Sequence, residues 1–328
     1  MTAQRRVVLF AVITVAAIVV IAGYVVAAAM RHDAPASSSS SAAAPRPPLA
    51  AGDTLVLDRD RRRPKAWGRL VVIGPDGVRH VGSLTCERVA YAAGSGICLA
   101  VRRTFPTPTD EARFFDARQR VTGAVELSGS PSRARVSPDG HYAASTTFVS
   151  GDGYTNPGQF STRTTIYDAR AHRALGELES FTVIRDGRPF NNPDFNFWGV
   201  TFIGGTGGFY ATLATGSHHY LVRGDLGARR LTVVRDGVEC PSLSPDGTRI
   251  GFKARVGHPF QWRFHVLDLG TGRETALPGQ GSVDDQIAWL DDAHLAYGDG
   301  EVVMTVDADG RTAPRELLAS ATNPGRIR

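Results

Sequence analysis

The chain has 328 residues and a mass of 35.1 kDa, with 42% hydrophobic and 8% aromatic residues. This composition can bury a sizeable core, and it excludes a disordered, collagen-like or disulfide-dense chain. The formal charge is +5, and nearly all basic residues are Arg, since Lys65 and Lys253 are the only lysines. The positive charge is not gathered on a nucleic-acid-binding motif, so we expect no nucleic-acid partner.

The first feature along the chain is an apolar segment at residues 7–29, which contains no charged residue. As a helix it is about 34 Å long, enough to cross a bilayer. Arg5 and Arg6 precede it, so the positive-inside rule keeps residues 1–6 in the cytoplasm and exports the rest. The pattern predicts a single-pass signal anchor in the cell membrane with an extracytoplasmic C-terminal domain. The alternative is a secreted protein cleaved near Ala29.

Residues 30–52 are rich in Ser, Ala and Pro, including an unbroken serine run at 37–41. Such a segment cannot bury a core and stays extended, so we interpret it as a linker or stalk. The remaining residues, 53–328, form the predicted folded domain.

This domain is predicted to be all β, because short β-branched or aromatic runs alternate with Gly, Pro and Asp turns and no helical period is present. Two kinds of tight turn recur. The first is Ser-Pro-Asp-Gly at 137–140 and 244–247, with degenerate versions at 94–96, 204–208 and 291–292. The second kind occurs at 74–77, 116–118, 168–170, 225–227, 268–272 and 307–310.

The second kind of turn recurs with a period near 45 residues, at intervals of 40, 52, 57, 43 and 39. Two hairpin turns per period are typical of the four-stranded blades of a β-propeller. The 276 residues from 53 to 328 accommodate six blades of 46.

With these repeats the chain resembles the TolB-type six-bladed β-propeller, which is built from WD40-like repeats. The resemblance covers residues 53–328 and implies six four-stranded antiparallel blades and a role in envelope complexes. The closing blade needs strands from 54–84 and one from the C-terminus. Residues 319–328 are a poor strand by sequence, because they contain Pro324 and Gly325.

If the strands of each blade are labelled a to d, the a–b and c–d turns lie at one end of the ring and the b–c and d–a connections at the other. The tight turns are all of the first group. The second group contains five long connections, at 59–66, 103–112, 150–161, 185–196 and 255–261. Long loops on a rigid scaffold, rich in Arg and aromatic residues, are typical of binding surfaces. The candidate binding residues are Arg61, Arg62, Arg63, Lys65, Phe105, Tyr154, Phe160, Phe190, Phe195, His258 and Phe260.

Simpler interpretations of these residues stay open. The basic run at 61–65 suits an acidic wall polymer, an anionic lipid head group or an acidic partner, but it is also explained as a solvated loop. Phe195, together with Phe197, Trp198 and Trp262 at the adjoining strand starts, is also explained as filling the gaps between blades.

The sequence lacks common catalytic, metal-binding and phosphate-binding motifs: it has no nucleophile elbow, no His-Glu-x-x-His and no phosphate-binding loop. We therefore assign no catalytic residue, metal site or cofactor. Three cysteines are present. A hairpin centred on Gly94 places Cys98 near Tyr91 and leaves Cys86 about five residues away along the strand, too far for a disulfide. Cys240 has no predicted neighbour.

Two functions remain. The leading hypothesis is a membrane-tethered binding or scaffold module for an envelope protein or cell-wall polymer, acting through the b–c and d–a loops. The alternative is a hydrolase or lactonase-like enzyme at the channel mouth, with a metal held by carboxylates near the axis. The candidate carboxylates for that alternative are Glu87, Asp194, Glu239 and Asp285.

Overall fold

The computed structural model describes residues 48–102, 109–149, 161–257, 261–279 and 282–328. Over these ranges the chain is all β apart from two single-turn 3-10 helices, Pro64–Ala66 and Leu178–Ser180. The predicted membrane segment and residues 30–47 of the linker lie outside them. Within the described ranges, no helix has the length and apolar character needed to cross a bilayer.

The strands are β1 (Thr54–Asp58), β2 (Arg69–Ile73), β3 (Arg79–Thr85), β4 (Arg88–Ala92), β5 (Ser95–Arg102), β6 (Thr109–Phe115), β7 (Val121–Glu126), β8 (Gly129–Val136), β9 (Tyr142–Val149), β10 (Thr162–Asp168), β11 (Arg173–Glu177), β12 (Thr182–Arg185), β13 (Arg188–Phe190), β14 (Asn196–Phe202), β15 (Gly208–Thr215), β16 (His218–Asp225), β17 (Arg230–Arg235), β18 (Glu239–Leu243), β19 (Arg249–Arg255), β20 (Trp262–Asp268), β21 (Glu274–Ala276), β22 (Ala288–Trp289), β23 (His294–Asp299), β24 (Val302–Asp307), β25 (Arg315–Ala319) and β26 (Ala321–Arg326).

These strands form six sheets, the blades of the predicted propeller. From strand a outward, blade 1 is β26-β1-β2-β3, blade 2 is β4 to β7, blade 3 is β8 to β11, blade 4 is β14 to β17, blade 5 is β18 to β21, and blade 6 is β22 to β25. The a strands of successive blades contact one another around the ring, from β4 through β8, β14, β18 and β22 to β26 and back to β4. They therefore surround the central axis, and the six-bladed, four-stranded architecture is confirmed.

Ring closure depends on β26, the C-terminal strand, which pairs antiparallel with β1. The register of this pair shifts within β1, because Leu55 lies opposite Gly325 whereas Leu57 lies opposite Thr322. Two residues of β26 therefore oppose one residue of β1, so Pro324 lies in a bulge where no ladder N–H is required.

The repeated turns lie where the sequence predicts them. The Ser-Pro-Asp-Gly turns join strands a and b, and the Asp-containing turns of the second kind join c and d. In the first repeat, Asp139 accepts hydrogen bonds from the Ser137 hydroxyl at 2.5 Å and from the backbone N–H of His141 at 3.1 Å. Gly140 completes the turn at a φ of 68°, which glycine adopts without strain. All these turns share one end of the ring, called here the turn end, and the b–c and d–a connections share the other, the loop end.

Blade 4 carries an additional hairpin that was not predicted. β12 lies parallel to β17, and β13 pairs antiparallel with β12. The predicted loop at 185–196 is therefore partly strand. Asp186 and Gly187 form the turn with φ values of 51° and 74°. An Asp-Gly pair between two short β runs is the sequence signal that identifies such a hairpin.

The ordered part of the domain begins before the first strand. Leu49 is buried in an apolar cluster with Leu55, Tyr91 and Phe115, and its N–H donates to the carbonyl of Ala117 at 2.8 Å. Residues 48–52, at the end of the predicted linker, thus already contact blades 1 and 2.

The expectation that Cys86 and Cys98 cannot pair is wrong, because they form a disulfide with their Cα atoms 5.4 Å apart. The β4–β5 turn pairs Tyr91 with Gly96, which shifts Cys98 by two residues, opposite Val89. Cys86 lies before β4 rather than within it, in the connection from blade 1. Cys240 is a free, buried thiol.

The disulfide should contribute to stability by restricting the unfolded chain. Changing both Cys86 and Cys98 to Ser is expected to lower the free energy of unfolding by about 2–3 kcal/mol, given the short loop that the bond closes. Urea unfolding of the two proteins measures the difference. A reducing agent should destabilise the natural chain and leave the double variant unchanged, and equal sensitivity of both proteins contradicts the assignment.

Asn323 should stabilise ring closure. Its side-chain carbonyl accepts from the N–H of Val89 at 3.1 Å and its amide donates to the carbonyl of Val89 at 2.8 Å, which joins the a strands of blades 1 and 2. Its φ is 55°. Asn323→Gly keeps that backbone conformation but removes both hydrogen bonds, and we expect a loss of about 1–3 kcal/mol in urea unfolding. Asn323→Ala should cost more, because it adds backbone strain.

Candidate binding surface at the loop end

The loop end contains the five long connections predicted to form a binding surface. Two are described over their full length: the loop at 59–68, between β1 and β2, and the connection at 185–196 before blade 4. Each of the other three contains residues outside the described ranges. The candidates Phe105, Tyr154, Phe160, His258 and Phe260 are among those residues.

Two buried carboxylates, Asp58 and Asp60, accept hydrogen bonds from arginines of the loop at 59–68. Asp58 accepts a hydrogen bond from Arg63 at 2.8 Å, and Asp60 accepts from Arg62 at 3.0 Å and from Arg63 at 3.1 Å. The hydrogen bonds from Arg62, and then from Arg63, hold the pKa of Asp60 well below its usual range. These contacts fix the loop conformation at its base.

The outer part of the same loop is open to solvent. The side chains of Arg61 and Arg62 are 81% and 86% exposed, and Lys65, in the 3-10 helix, is also exposed. Arg61 forms an ion pair with Glu301 of blade 6 at 2.5 Å. The loop therefore presents three exposed cations. Arg62 also braces the loop through Asp60, and Arg63 does so through Asp58 and Asp60.

Phe190 and Phe195 are half-buried residues that contribute to the packing of blade 4. Their rings meet edge to face at a centroid distance of 5.1 Å, and both pack half-buried against the apolar core between blades 3 and 4. The Arg185 guanidinium lies 5.5 Å from the Phe190 ring centroid. The gap-filling interpretation accounts for most of the surface of both rings, as it does for the buried Phe197.

An ionic cluster of two buried cations and one partly exposed carboxylate lies at the loop end, and sequence analysis did not predict it. Asp284 accepts from Lys253, which is 2% exposed, and from Arg133 at 3.3 Å. Burial disfavours the ionised carboxyl, but Lys253 and Arg133 outweigh it and lower the pKa of Asp284. The three side chains come from blades 3, 5 and 6, so no local sequence pattern signals them.

Glu239 is buried in blade 5 and is the centre of a second group of polar contacts. It accepts hydrogen bonds from Arg255 at 2.8 Å and from the Trp262 indole at 3.1 Å. Arg255 also lies 2.9 Å from Nε2 of His219. Burial lowers the pKa of His219, and Glu239 opposes that shift only in part. Trp262 is thus a structural partner of Glu239.

The carboxylates proposed for a channel-mouth enzyme do not converge. Asp194 accepts from Thr215 in blade 4 at 2.5 Å, Glu239 accepts from Arg255 in blade 5 at 2.8 Å, and Asp285 accepts from the N–H of Gly298 in blade 6 at 2.8 Å. Glu87, the fourth candidate, is exposed before β4. Among the described residues, no three His, Cys, Asp or Glu side chains are grouped so as to hold a metal ion. The donor set does not fit the metal centre that this alternative requires.

The turn end has a separate central cavity of 330 Å³, lined by the ends of all six a strands. Arg135 crosses it and donates to the Ser242 hydroxyl at 3.2 Å and to the carbonyl of Ile287 at 2.8 Å. Burial lowers the pKa of Arg135 to about 10. Arg135 therefore links blades 3, 5 and 6 across the channel.

The amino-acid sequence matches no protein-family model, and no curated protein matches it. Its fold is similar to that of TolB from Acinetobacter baumannii, with a TM-score of 0.59 and 17% identity over 84% of this chain and 67% of that one. A protein assigned as TolB from Agrobacterium tumefaciens gives 0.50 and 11% over 84% and 92% of the chains. A nidogen/laminin complex gives 0.53 and 10% over 84% and 97%.

These identities establish the fold alone. The chain is a six-bladed β-propeller of the TolB-like fold, as the repeats in its sequence predict.

Asp284→Asn should remove the shared counter-charge of Lys253 and Arg133 and lower the free energy of unfolding by about 2 kcal/mol at neutral pH. The pKa of Asp284 is lower in the folded state than its unfolded value of 3.8. Its contribution to the free energy of unfolding is therefore complete above pH 3.8 and is lost as the pH falls through the folded pKa. Urea unfolding across this range should show the two proteins converging in acid.

Asp309→Asn is the matched control for this measurement. Asp309 is an exposed turn residue whose ion pair with Arg311 is 3.6 Å long. Its loss should change stability by less than about 0.5 kcal/mol at every pH. An equal loss in both variants contradicts the role assigned to the buried cluster.

Proposed function

We propose that the chain is a membrane-tethered, extracytoplasmic β-propeller that acts as a binding or scaffold module for an envelope protein or cell-wall polymer through its b–c and d–a loops. The observation that carries the proposal is the loop at 59–68. Its base is fixed by buried Asp58 and Asp60, and its outer side chains extend into solvent. A preorganised loop loses little conformational entropy when it binds.

The membrane location is supported by the sequence. The apolar segment at 7–29 has the length of a membrane-spanning helix, and the Ser/Ala/Pro-rich linker at 30–52 separates it from the propeller. The disulfide between Cys86 and Cys98 supports an oxidising compartment, since such bonds persist in exported proteins. Secretion after cleavage near Ala29 is the alternative form of the same location.

A binding role is supported by the type of surface. Arg61, Arg62 and Lys65 give the loop positive charge, which favours an acidic partner through complementary potentials. One solved structure with a similar fold comes from a complex of nidogen and laminin, and others are TolB proteins. The nidogen/laminin complex is a precedent for a protein partner on this architecture.

The test is capture from crosslinked native membranes with the tagged full-length chain. The rim variant changes Arg61, Arg62 and Lys65 to Ala. These side chains are exposed, and after their removal Asp58 and Asp60 keep their hydrogen bonds from Arg63. We expect the rim variant to recover at least several-fold less of a specific partner. Raising the salt concentration should weaken capture by the natural chain.

The control variant changes three exposed arginines in c–d turns at the turn end, Arg118, Arg273 and Arg311, to Ala. It removes the same number of charges from the opposite end of the ring and should capture the partner normally. Equal recovery by the rim variant and the natural chain refutes the proposed surface. Equal losses in the rim and control variants show a non-specific charge effect instead.

A further inference from the structure

A pocket of 380 Å³ lies at the loop end, where blade 6 meets blades 1 and 2. Its volume is in the lower part of the range of small-ligand sites, roughly 300–1,000 Å³. The side chains of its wall that matter here are Arg59, Arg88, Asp285, Asp299 and Thr322.

Arg59 is a buried cation without a counter-ion. The residue is 8% exposed, and its Nη1 atom is buried with no hydrogen-bond partner. The guanidinium lies 5.1 Å from the Trp67 ring centroid. Among the described residues, no carboxylate lies within ion-pair distance of it. A buried charge in this state is costly unless another group reaches it.

Two acids near Arg59 are already engaged by other arginines. Asp58 accepts from Arg63 at 2.8 Å, and Glu301 accepts from Arg61 at 2.5 Å. The charge of Glu87, an exposed residue before β4, raises the pKa of Arg59, but the two side chains form no ion pair. Arg59, which lines the pocket, therefore has no ion-pair partner among the described residues.

Arg88 adds a second positive charge to the same wall. It donates to two neutral carbonyls, those of Ser132 at 2.6 Å and Glu87 at 2.9 Å, and over the described part of the chain it forms no ion pair. Burial, and also the charge of Arg88, lowers the pKa of Arg59, so the two cations lie within electrostatic reach of each other. Two adjacent guanidinium groups without a shared anion are suited to a carboxylate.

Thr322 provides a second buried polar group without a partner. Thr322 lines the pocket, and its hydroxyl oxygen is buried and makes no hydrogen bond to any described residue. It lies in β26 next to the bulge, which interrupts the regular ladder there. The pocket therefore holds two unpartnered polar side chains contributed by different elements of blade 1.

The wall contributed by blade 6 carries the opposite charge, with three carboxylates, of which Asp284 is engaged by Lys253 and Arg133. Asp285 uses one carboxylate oxygen to accept from the N–H of Gly298 at 2.8 Å. Asp299 is exposed, and within the described ranges it has no ion pair or side-chain hydrogen bond. A ligand with two opposite charges matches both walls of the pocket, whereas a simple anion matches only one.

We propose that this pocket binds a small zwitterion, an α-amino acid or a dipeptide. Arg59, Arg88 and the Thr322 hydroxyl hold its carboxylate, and Asp285 and Asp299 receive its ammonium group. The proposal names a ligand class for the loop end and rests on the proposed binding function.

The test is isothermal titration calorimetry of the full-length chain with three probes of one size: L-alanyl-L-alanine, its N-acetyl form and its C-terminal amide. The free dipeptide should bind, and blocking either charged end should weaken binding at least about 10-fold, because each blocked form leaves one charged wall unpaired. L-Alanine, titrated in parallel, separates an amino-acid site from a dipeptide site.

Variants assign the two walls. Arg59→Gln and Thr322→Val should each weaken binding of the free dipeptide, Arg59→Gln by at least about 10-fold. Asp299→Asn changes an exposed residue and should leave the fold intact. It should reduce the preference for the free dipeptide over its N-acetyl form. Arg118→Gln, which changes an exposed arginine in a c–d turn at the turn end, is the matched control and should bind normally.

Three results overturn the proposal: no heat with any probe at millimolar concentration, equal affinity for the free and blocked dipeptides, or normal binding by both Arg59→Gln and Asp299→Asn. The first means that water alone satisfies Arg59 and Thr322.

The capture experiment changes Arg61, Arg62 and Lys65 but not the pocket wall. Failure of dipeptide binding with normal partner capture therefore refutes the pocket alone, and the reverse result refutes the rim surface alone.

Discussion

The pairing of β26 with β1 is the contact on which the whole ring depends. It joins the last strand of the chain to the first strand and completes blade 1 from residues about 270 positions apart. Without it, blades 1 and 6 would each expose a face and an edge to water. The bulge opposite Val56 lets this strand accommodate Pro324, and it also positions Asn323 and Thr322. Closure and the walls of the loop-end pocket thus have one structural origin.

Closure also determines how charge is distributed along the axis. The a strands of all six blades converge there, so side chains that are far apart in sequence must share a narrow, poorly solvated space. Asp284 pairs with both Lys253 and Arg133, and Arg135 is held by polar groups of blades 5 and 6. Arg59 differs from these side chains, because it has neither an ion pair nor a hydrogen bond to its Nη1 atom among the described residues.

The fold is established by similarity to solved structures, whereas the function is argued from individual side chains. The similarity to TolB and nidogen/laminin structures establishes the architecture at identities of 10% to 17%. A propeller hosts many activities, so its function must be argued from particular side chains. Here the binding surface is proposed from the exposed cations of the loop at 59–68. Three candidate carboxylates for a metal centre, Asp194, Glu239 and Asp285, accept hydrogen bonds in blades 4, 5 and 6.

Local patterns in the sequence were sufficient to predict six blades, the tight turns at one end and the long loops at the other, because turn residues and β periodicity act over a few residues. The same patterns gave the wrong register for Cys98, since a one-residue change in the turn shifts the pairing of the whole hairpin. Only the tertiary structure could decide which charges are paired. Asp284 meets Lys253, and Arg59 meets no carboxylate among the residues described, through contacts between blades that no sequence spacing encodes.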